Sequence, residues 1–598
     1  SITNTTVTGS GYNNFLINKA TVDINNAVNL DTYAGKYYDK VDFVSSNVGV
    51  SSGGSLTGTN SNQIGIAQRS YNGATVGSIN LTNSGTISMS GSDSTGIAGD
   101  FATITNNAAG IITISGNKST GIFSANGSLT KNSGIINVNT SGAGNSSVGI
   151  YGSNNFGGSA ATYGDQKINI TNDGTISYGG SLTSDGIGIY VKNNNANKSD
   201  ALITLNGSSN IDMTGSKSGV GIFADKALIN IAAGKIKAGE NTTGIYAENG
   251  TEISTTGGTI DIYEKGVGIY LAGSSKYNSG TGKFVLYEEG GAVFGLENGS
   301  VFNITTANID NTTYGGGSAL SFVLGSVGKK AYTHNSVINL GAIDNATLLG
   351  TKGGVITLGT SSDLQSTGKS VVGIGAGSIK DSSVAGTREI TNSGNIKLTG
   401  EGSTGIYVKD GARALNNATG ANALTISDSS VGMFATGAAT TAENSGNILA
   451  GTGSVGMYSA ATGAGSGIFL TGGSIKSYET VPGTPDEKVT GMYIKASSNG
   501  SQSGGTIQLE GKESTGIYNE GTYALSNGAI TMKSEKGVGI YATSGSTTNI
   551  SNGTISAENG SVALYADKST INISGGNFVI GNAGLLFYNY PSAGTGRG

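Results

Sequence analysis

Residues 392–408 read Asn-Ser-Gly-Asn-Ile-Lys-Leu-Thr-Gly-Glu-Gly-Ser-Thr-Gly-Ile-Tyr-Val, and this stretch contains both of the motifs that recur along the chain. The first is the Asn-Ser-Gly motif, in which an apolar residue follows two positions after the glycine. The second is the Gly-Ile-aromatic motif, in which two small or β-branched residues precede the glycine. Gly394 and Gly405, the two motif glycines, are 11 residues apart. An interval of that length is enough for one short strand and a turn.

Copies of the Gly-Ile-aromatic motif occur along most of the chain, and their shortest spacing is 23 to 24 residues, as from Gly221 to Gly244 to Gly268. A period of that length holds two or three strands, which make one coil of a solenoid. The glycines of the copies are Gly96, Gly121, Gly149, Gly188, Gly221, Gly244, Gly268, Gly373, Gly405, Gly432, Gly456, Gly491, Gly516 and Gly539.

The segments between the motifs alternate apolar and polar residues, as in Thr259-Ile260-Asp261-Ile262, and this period is typical of strands with one buried face. Asn-Gly, Ser-Gly and Gly-Gly pairs are expected to form positive-φ turns between the strands. A propeller blade needs about 40 residues. We therefore predict an all-β, right-handed parallel β-helix with loop insertions. Its roughly twenty coils would give a rod on the order of 100 Å long.

Composition excludes several other classes of protein. The 598 residues include 103 Gly but only 3 Pro and no Cys, so collagen and disulfide scaffolds are excluded. Apolar residues make up 36% and alternate regularly, which disfavours disorder. The 33 Lys and Arg are scattered and fewer than the 38 acidic residues, so no nucleic-acid partner is expected.

The repeats divide the chain into four segments. Residues 1–60 lack the motifs and are expected to form divergent N-terminal coils or a cap. Residues 61–290 are regular repeats, 291–365 are irregular, insertion-bearing coils, and 366–598 are regular again. Residues 1–30 lack a signal-peptide pattern, and we expect the chain to be a piece of a longer protein, truncated at its C-terminus.

Catalytic and metal-binding patterns are weak. The single histidine, His334, has no nucleophile motif beside it and is interpreted as an incidental surface residue. Glu288-Glu289 and Asp486-Glu487 are the nearest carboxylate pairs, but neighbouring residues on a strand point to opposite faces. Gly451–Gly456 matches a dinucleotide-binding pattern without a following helix. We expect no catalytic residues, no metal and no cofactor, and hence no enzyme.

Aromatic residues follow the isoleucine in most copies of the second motif. Successive side chains of a strand point to opposite faces, so if the isoleucine faces the core, the aromatic residue that follows it faces outward. The aromatics are then predicted to form an outward stripe, coil after coil, beside a column of motif glycines such as Gly149. Such a stripe can bind sugar rings or an apolar protein surface, or it can simply stabilise the coils or be covered. The stripe contains Tyr151, Tyr190, Tyr246, Tyr270, Tyr407, Tyr458, Tyr493, Tyr518, Tyr541 and Tyr565, with Phe123, Phe223 and Phe434.

Three places exceed the repeat period and are expected to bulge from the rod as binding loops, first 476–489, then 152–164 and 325–345. The 476–489 loop contains two prolines, which limit the entropy lost on binding. A tolerated insertion without function is the alternative. The candidate binding residues of this loop are Tyr478, Glu479, Asp486, Glu487 and Lys488.

The ordered copies of Ser-Thr-Gly-Ile-Tyr and Asn-Ser-Gly-Thr-Ile over residues 61–580 resemble the passenger domains of large type V autotransporter adhesins, most closely the fusobacterial outer-membrane adhesins. The resemblance implies a surface passenger, anchored through a C-terminal outer-membrane barrel that this chain lacks. It also implies adhesion or interbacterial coaggregation through glycan or protein receptors on host or bacterial cells. A surface glycan-processing β-helix enzyme and a passive stalk remain alternatives; clustered carboxylates in a groove would favour the enzyme and an exposed aromatic strip the adhesin.

Overall fold

The computed structural model shows a parallel β-helix, as the repeat predicted, and the chain divides into two compact units, Ser1–Gly315 and Gly316–Gly598. Each unit contains three parallel sheets, here called sheets A, B and C in the order in which a coil passes through them. The structure describes residues 21–29, 47–68, 79–140, 146–154, 166–179, 185–263, 265–287, 292–297, 300–303, 309–310, 320–326, 331–335, 337–351, 354–377, 388–420, 423–479, 481, 483–543 and 545–590.

The first unit has a 3-10 turn at Lys198–Asp200 in addition to its strands. Its sheet A strands are Thr21–Ile24, Asn47–Val50, Asn80–Asn83, Thr103–Asn106, Leu129–Asn132, Ile168–Asn172, Ala201–Leu205, Leu228–Ile231, Glu252–Thr255, Lys276–Ser279 and Val301–Asn303. Its sheet B strands are Ala27–Asn29, Ser55–Gly58, Thr86–Met89, Ile111–Ile114, Ile135–Val138, Thr175–Tyr178, Asn210–Asp212, Lys235–Ala238, Thr259–Ile262, Lys283–Leu286 and Ile309–Asp310. Its sheet C strands are Ile64–Gln68, Thr95–Asp100, Thr120–Ala125, Ser147–Ser153, Gly186–Lys192, Val220–Asp225, Thr243–Glu248, Val267–Leu271 and Ala292–Leu296.

The second unit repeats the same three-sheet plan. Its sheet A strands are Ala331–His334, Val355–Leu358, Glu389–Asn392, Arg413–Asn416, Thr441–Asn444, Gly467–Leu470, Asn499–Gln502, Thr522–Leu525, Thr547–Ile550 and Thr570–Ile573. Its sheet B strands are Val337–Asn339, Asp363–Ser366, Asn395–Leu398, Leu424–Ile426, Asn447–Ala450, Ser474–Ser477, Thr506–Leu509, Ala529–Met532, Thr554–Ala557 and Asn577–Ile580. Its sheet C strands are Leu320–Ser326, Ala346–Thr351, Val372–Ala376, Thr404–Lys409, Val431–Ala438, Val455–Thr462, Thr490–Ile494, Thr515–Asn519, Val538–Ala542, Val562–Asp567 and Leu585–Tyr590.

The core is built by stacking the same motif position in successive coils. In sheet C, Ile122 pairs in register with Ile97 on one side and with Ile150 on the other. All three isoleucines are fully buried, as are Ile406 and Ile517 in the second unit. The prediction that the isoleucine of each Gly-Ile-aromatic motif faces the core is therefore confirmed for these coils.

The polar residues of the two motifs form buried hydrogen-bonded ladders along the axis. The side-chain amide of Asn83 donates to Asn106 Oδ1 at 2.8 Å, and Asn106 donates to Asn132 at 2.8 Å. A similar ladder of serines uses the backbone, because the N–H of Ser94 donates to Ser119 Oγ at 3.1 Å. The polar groups of these ladders thus find their partners in the next coil, which explains why both motifs repeat in sequence.

The motif glycines are needed for close approach between coils, which corrects two sequence-based expectations. A Cβ on Gly149 would lie 2.6 Å from Gly188 O and 2.7 Å from Ile176 Cγ2, so this glycine faces the interior rather than the outer surface beside Tyr151. A Cβ on Gly85, in the Asn-Ser-Gly motif, would lie 2.3 Å from two carbonyl oxygens of the preceding coil. Positive φ is found, as expected, in Gly-Gly and Asn-Gly pairs, as at Gly505 with φ 69° and Gly553 with φ 104°, but not at the glycine of the Asn-Ser-Gly motif at Gly85.

Two of the expected bulges can be compared with the structure only in part. Residues 155–165, within the predicted 152–164 loop, lie outside the described residues. In the 325–345 segment, Ala331–His334 and Val337–Asn339 are regular strands of sheets A and B, so these residues belong to a coil and do not bulge. Within the described ranges, the structure contains no helix long and apolar enough to cross a membrane.

Candidate functional site

The predicted aromatic residues do form a stripe on the outer face of sheet C in each unit. Every ring of this aromatic stripe from Phe123 to Tyr270, and from Tyr407 to Tyr565, is partly exposed. In the first unit neighbouring rings are stacked, with centroids 4.9–5.3 Å apart and planes inclined by 4–13°. That spacing is close to the distance between neighbouring strands, so the register of the sheet sets the stack.

The second unit has a longer stripe with one break in its stacking. Phe434 stands nearly perpendicular to its neighbours, at 74° to Tyr407 and 84° to Tyr458. From Tyr458 the rings stack again, 4.5–5.1 Å apart, and the last of them is Tyr588. Tyr588 was missed in the sequence because Leu586 and Phe587 replace the glycine and isoleucine of the motif.

The stacking determines which part of each ring a ligand can contact. Because neighbouring rings cover each other's faces, the exposed parts are the ring edges and the tyrosine hydroxyls. A sugar ring therefore cannot lie flat on one of these tyrosines within the stack. The stripe instead offers a continuous amphipathic strip of edges, which can contact an apolar patch while its hydroxyls form hydrogen bonds.

Acidic residues lie beside the stripe in some coils of each unit, two positions beyond the aromatic position of the motif; we call these residues the acidic column, and they were not predicted from the sequence. Tyr270 Oη donates to Glu297 Oε1 at 3.0 Å, and Tyr493 Oη donates to Glu520 Oε1 at 2.9 Å. Burial raises the pKa of Tyr270, and the Glu297 carboxylate raises this pKa further. Burial, then the nearby carboxylates, likewise raises the pKa of Glu248. The acidic column contains Asp225, Glu248 and Glu297 in the first unit and Glu520 and Asp567 in the second; in other coils the same position is occupied by Lys192, Lys409 and Lys495.

The predicted 476–489 loop is much smaller in the structure. Ser474–Ser477 is a sheet B strand, and the loop closes where the Asp486 N–H donates to Tyr478 O at 2.8 Å. The Gly483 N–H donates to the Glu479 carboxylate at 2.9 Å. Tyr478 is partly exposed and Glu479 is exposed, so these two residues flank the base of a short, internally bonded loop.

The remaining candidate residues of this segment belong to the coil rather than to the loop. The Lys488 N–H donates to Lys512 O in the next coil at 2.8 Å, and Glu487 O accepts from the Gly453 N–H at 3.0 Å. Thr452 Oγ1 donates to Asp486 Oδ1 at 3.3 Å. The structure therefore brings Tyr478 and Asp486 together and places Glu487 and Lys488, both exposed, on the adjoining corner.

His334 is buried, with 1% of its surface exposed, so its interpretation as a surface residue is wrong. Tyr332 and His334 both point into the core because they occupy alternate inward positions of one strand, and Tyr332 Oη lies 3.0 Å from His334 Nδ1. Glu288 and Glu289 lie outside the described residues. Among the residues that the structure describes, no group of three or more His, Cys, Asp or Glu is arranged to hold a metal ion.

Comparisons with protein-family models, with curated proteins and with solved structures give no match for this chain.

Proposed function

We propose that this chain is part of a surface-displayed passenger that acts by adhesion, of the kind found in type V autotransporter adhesins. The observation that carries the proposal is the aromatic stripe, because its tyrosines are partly exposed along the outer face of sheet C. Its partners would be glycan or protein receptors on host cells or on other bacteria. A contact surface needs exposed rings of this kind, whereas in a stalk the same rings would serve only to stabilise neighbouring coils.

The chemistry of sheet C supports a contact role. Tyrosine provides a large, stiff contact area at low entropic cost, together with a hydroxyl. A half-buried column of valine and threonine lies on one side of the stripe, as at Val538 and Thr515, and the acidic column lies on the other. Apolar, aromatic and charged groups are thus presented side by side. Because the exposed ring recurs in successive coils of each unit, many weak contacts along the axis can add to strong overall binding.

Removing two adjacent stripe rings tests this role. We expect Tyr518→Thr with Tyr541→Thr, whose rings stack at 5.1 Å, to weaken adhesion of the full chain to target cells. The loss should be about tenfold, equivalent to ~1.4 kcal/mol. Threonine already occurs at a partly exposed position of one of these strands, at Thr515, so the fold should be retained. Adhesion is measured with beads coated at equal density and panels of bacteria and epithelial cells.

A matched control is available on another face of the solenoid. Tyr263 and Tyr287 also stack, at 4.7 Å, but lie outside the stripe, and their double threonine variant should adhere like the unmodified chain. If the two double variants lost adhesion equally, the stripe would stabilise the coils and would not be the contact surface. Failure of the unmodified chain to adhere to any cell would reject the adhesive function itself.

The loop at Tyr478–Asp486 is a second possible contact. Replacing residues 479–485 by a short Gly-Ser turn should leave the coil intact, because the bond from the Asp486 N–H to Tyr478 O closes the loop at its base. If the stripe carries the contact, adhesion of this variant should change less than twofold. A large loss of adhesion at an unchanged melting temperature would transfer the binding site to the loop.

A further inference from the structure

A shallow groove of about 550 Å³ lies in the first unit at the corner between sheets C and A. It forms where residues 193–200, which connect the strand Gly186–Lys192 to Ala201–Leu205, extend beside the next two coils. Regular coils make this connection with far fewer residues. The lining residues are Ala196, Asn197, Lys198, Ser199, Lys226, Leu228, Asn249, Gly250 and Glu252.

Side-chain amides hold the extended connection in place. Asn193 is buried, and its amide donates to Asn197 O and to Lys226 O, each at 2.7 Å. The side-chain oxygen of Asn193, Oδ1, in turn accepts a hydrogen bond from the side-chain amide of the buried Asn154 at 2.7 Å. Asn195 donates to Gln166 O at 3.2 Å. One wall of the groove is therefore preorganised, which lowers the entropy that a ligand would otherwise have to offset.

An ion pair joins this connection to Glu252, two coils further along the axis, on the other side of the groove. Lys198 Nζ, in the 3-10 turn of the connection, lies 2.5 Å from Glu252 Oε1, although the coil that contains Leu228–Ile231 lies between their two coils. Leu228, which pairs in register with Glu252, is the apolar residue at the floor of the groove. At the mouth, Gly250 has a φ of +79°, and no atom lies within 4 Å of where its Cβ would be.

The groups that face the groove are mixed donors and acceptors around an apolar floor. Asn197 provides an amide, Ser199 a hydroxyl, Lys226 an ammonium and Glu252 a carboxylate, while Leu228 provides the apolar surface. Lys198 and Glu252 neutralise each other, so the groove is poorly suited to a phosphate, which favours several cations. The strands are already paired on both sides, so an extended peptide has no free sheet edge to join.

We propose that this groove binds a short oligosaccharide, with one pyranose ring packed on Leu228. The ring's C–H face would cover the leucine, and its hydroxyls would exchange hydrogen bonds with Asn197, Ser199 and Glu252. A volume of about 550 Å³ lies in the range of roughly 300–1,000 Å³ that is usual for small-ligand sites. This assignment rests on the proposed adhesive function, and it names one class of receptor for it.

The test uses the full chain and an array of immobilised oligosaccharides built from hexoses and N-acetylhexosamines, with and without terminal sialic acid. The double variant Asn197→Ala with Ser199→Ala removes two exposed polar groups from the groove. We expect it to lose at least tenfold in affinity for the bound glycans. Glu252→Gln, which removes the ion pair but keeps the shape of the wall, should also bind more weakly. Ser254→Ala, exposed on the same strand but outside the groove lining, is the matched control and should bind normally.

The outcomes separate this site from the general function. Absence of glycan binding by the unmodified chain, or equal glycan binding by the unmodified chain and the groove variants, would overturn the saccharide site. If the same chain still adheres to cells through the stripe, the adhesive function survives that result. If the chain binds neither glycans nor cells, both proposals fail.

Discussion

Replacing Ile406 by aspartate is expected to lower the free energy of unfolding by roughly 4 kcal/mol, because an unpaired carboxylate would enter an apolar core. Ile406 is fully buried and pairs in register with Ile374 in one coil and Met433 in the next. Neither neighbouring side chain can donate a hydrogen bond to the new carboxylate. The damage should therefore spread to the coils on both sides, since each coil of a solenoid is stabilised by its neighbours.

Urea unfolding of the full chain, followed by far-UV circular dichroism, measures this effect. Ile406→Val is the matched control, and it should cost only about 1 kcal/mol because it removes one methylene without adding charge. Equal stability of the aspartate variant and the unmodified chain would contradict the inward orientation of the motif. A spectrum dominated by helix would contradict the fold itself.

The second large effect is expected at the motif glycine of the same sheet. Gly516→Ala should destabilise the chain by about 3 kcal/mol, because overpacking of a filled core costs energy on this scale. The new Cβ would lie 2.4 Å from Gly539 O and 2.6 Å from Ile530 Cγ2, so either the ladder or the core must shift. The carbonyl group of Gly539 and the side chain of Ile530 are both held in place by packing between neighbouring coils.

The variant Gly545→Ala distinguishes the stability cost of backbone strain from the cost of a steric clash between coils. Gly545 has a φ of +78°, yet no atom lies within 4 Å of where its Cβ would be, so only the left-handed conformation is penalised. That penalty is about 1–2 kcal/mol. If Gly545→Ala proved as damaging as Gly516→Ala, the packing explanation of the motif glycine would be wrong.

The coil could be predicted from sequence because its parts repeat at fixed intervals. The spacing of Gly394 and Gly405 indicated a strand and a turn, and the alternation around Ile396 indicated a strand with one buried face. The face of the sheet on which the motif glycine lies could not be predicted from the alternation of side chains along a strand. Sheet C departs from strict alternation, since Gly405 and Ile406 are both buried.

Longer-range contacts explain the other errors. His334 resembled a surface residue because nothing in its neighbouring sequence marks Ala331–His334 as a strand that stacks on Val355–Leu358. The aromatic stripe was predictable, since it follows the motif, and the acidic column could have been found from the same spacing. The groove could not be found, because its wall depends on bonds from Asn193 to Asn154 and Lys226, far away in sequence.

Tyrosine-selective surface labelling of the full chain, free and bound to membranes of an adherent cell, tests the central claim most directly. If the stripe is the contact surface, Tyr518 and Tyr541 should be labelled in the free chain and protected in the complex. The buried Tyr277 and Tyr523 should stay unlabelled in both states and serve as internal standards. Protection of Tyr478 alone, with the stripe labelled as fully in the complex as in the free chain, would contradict the account.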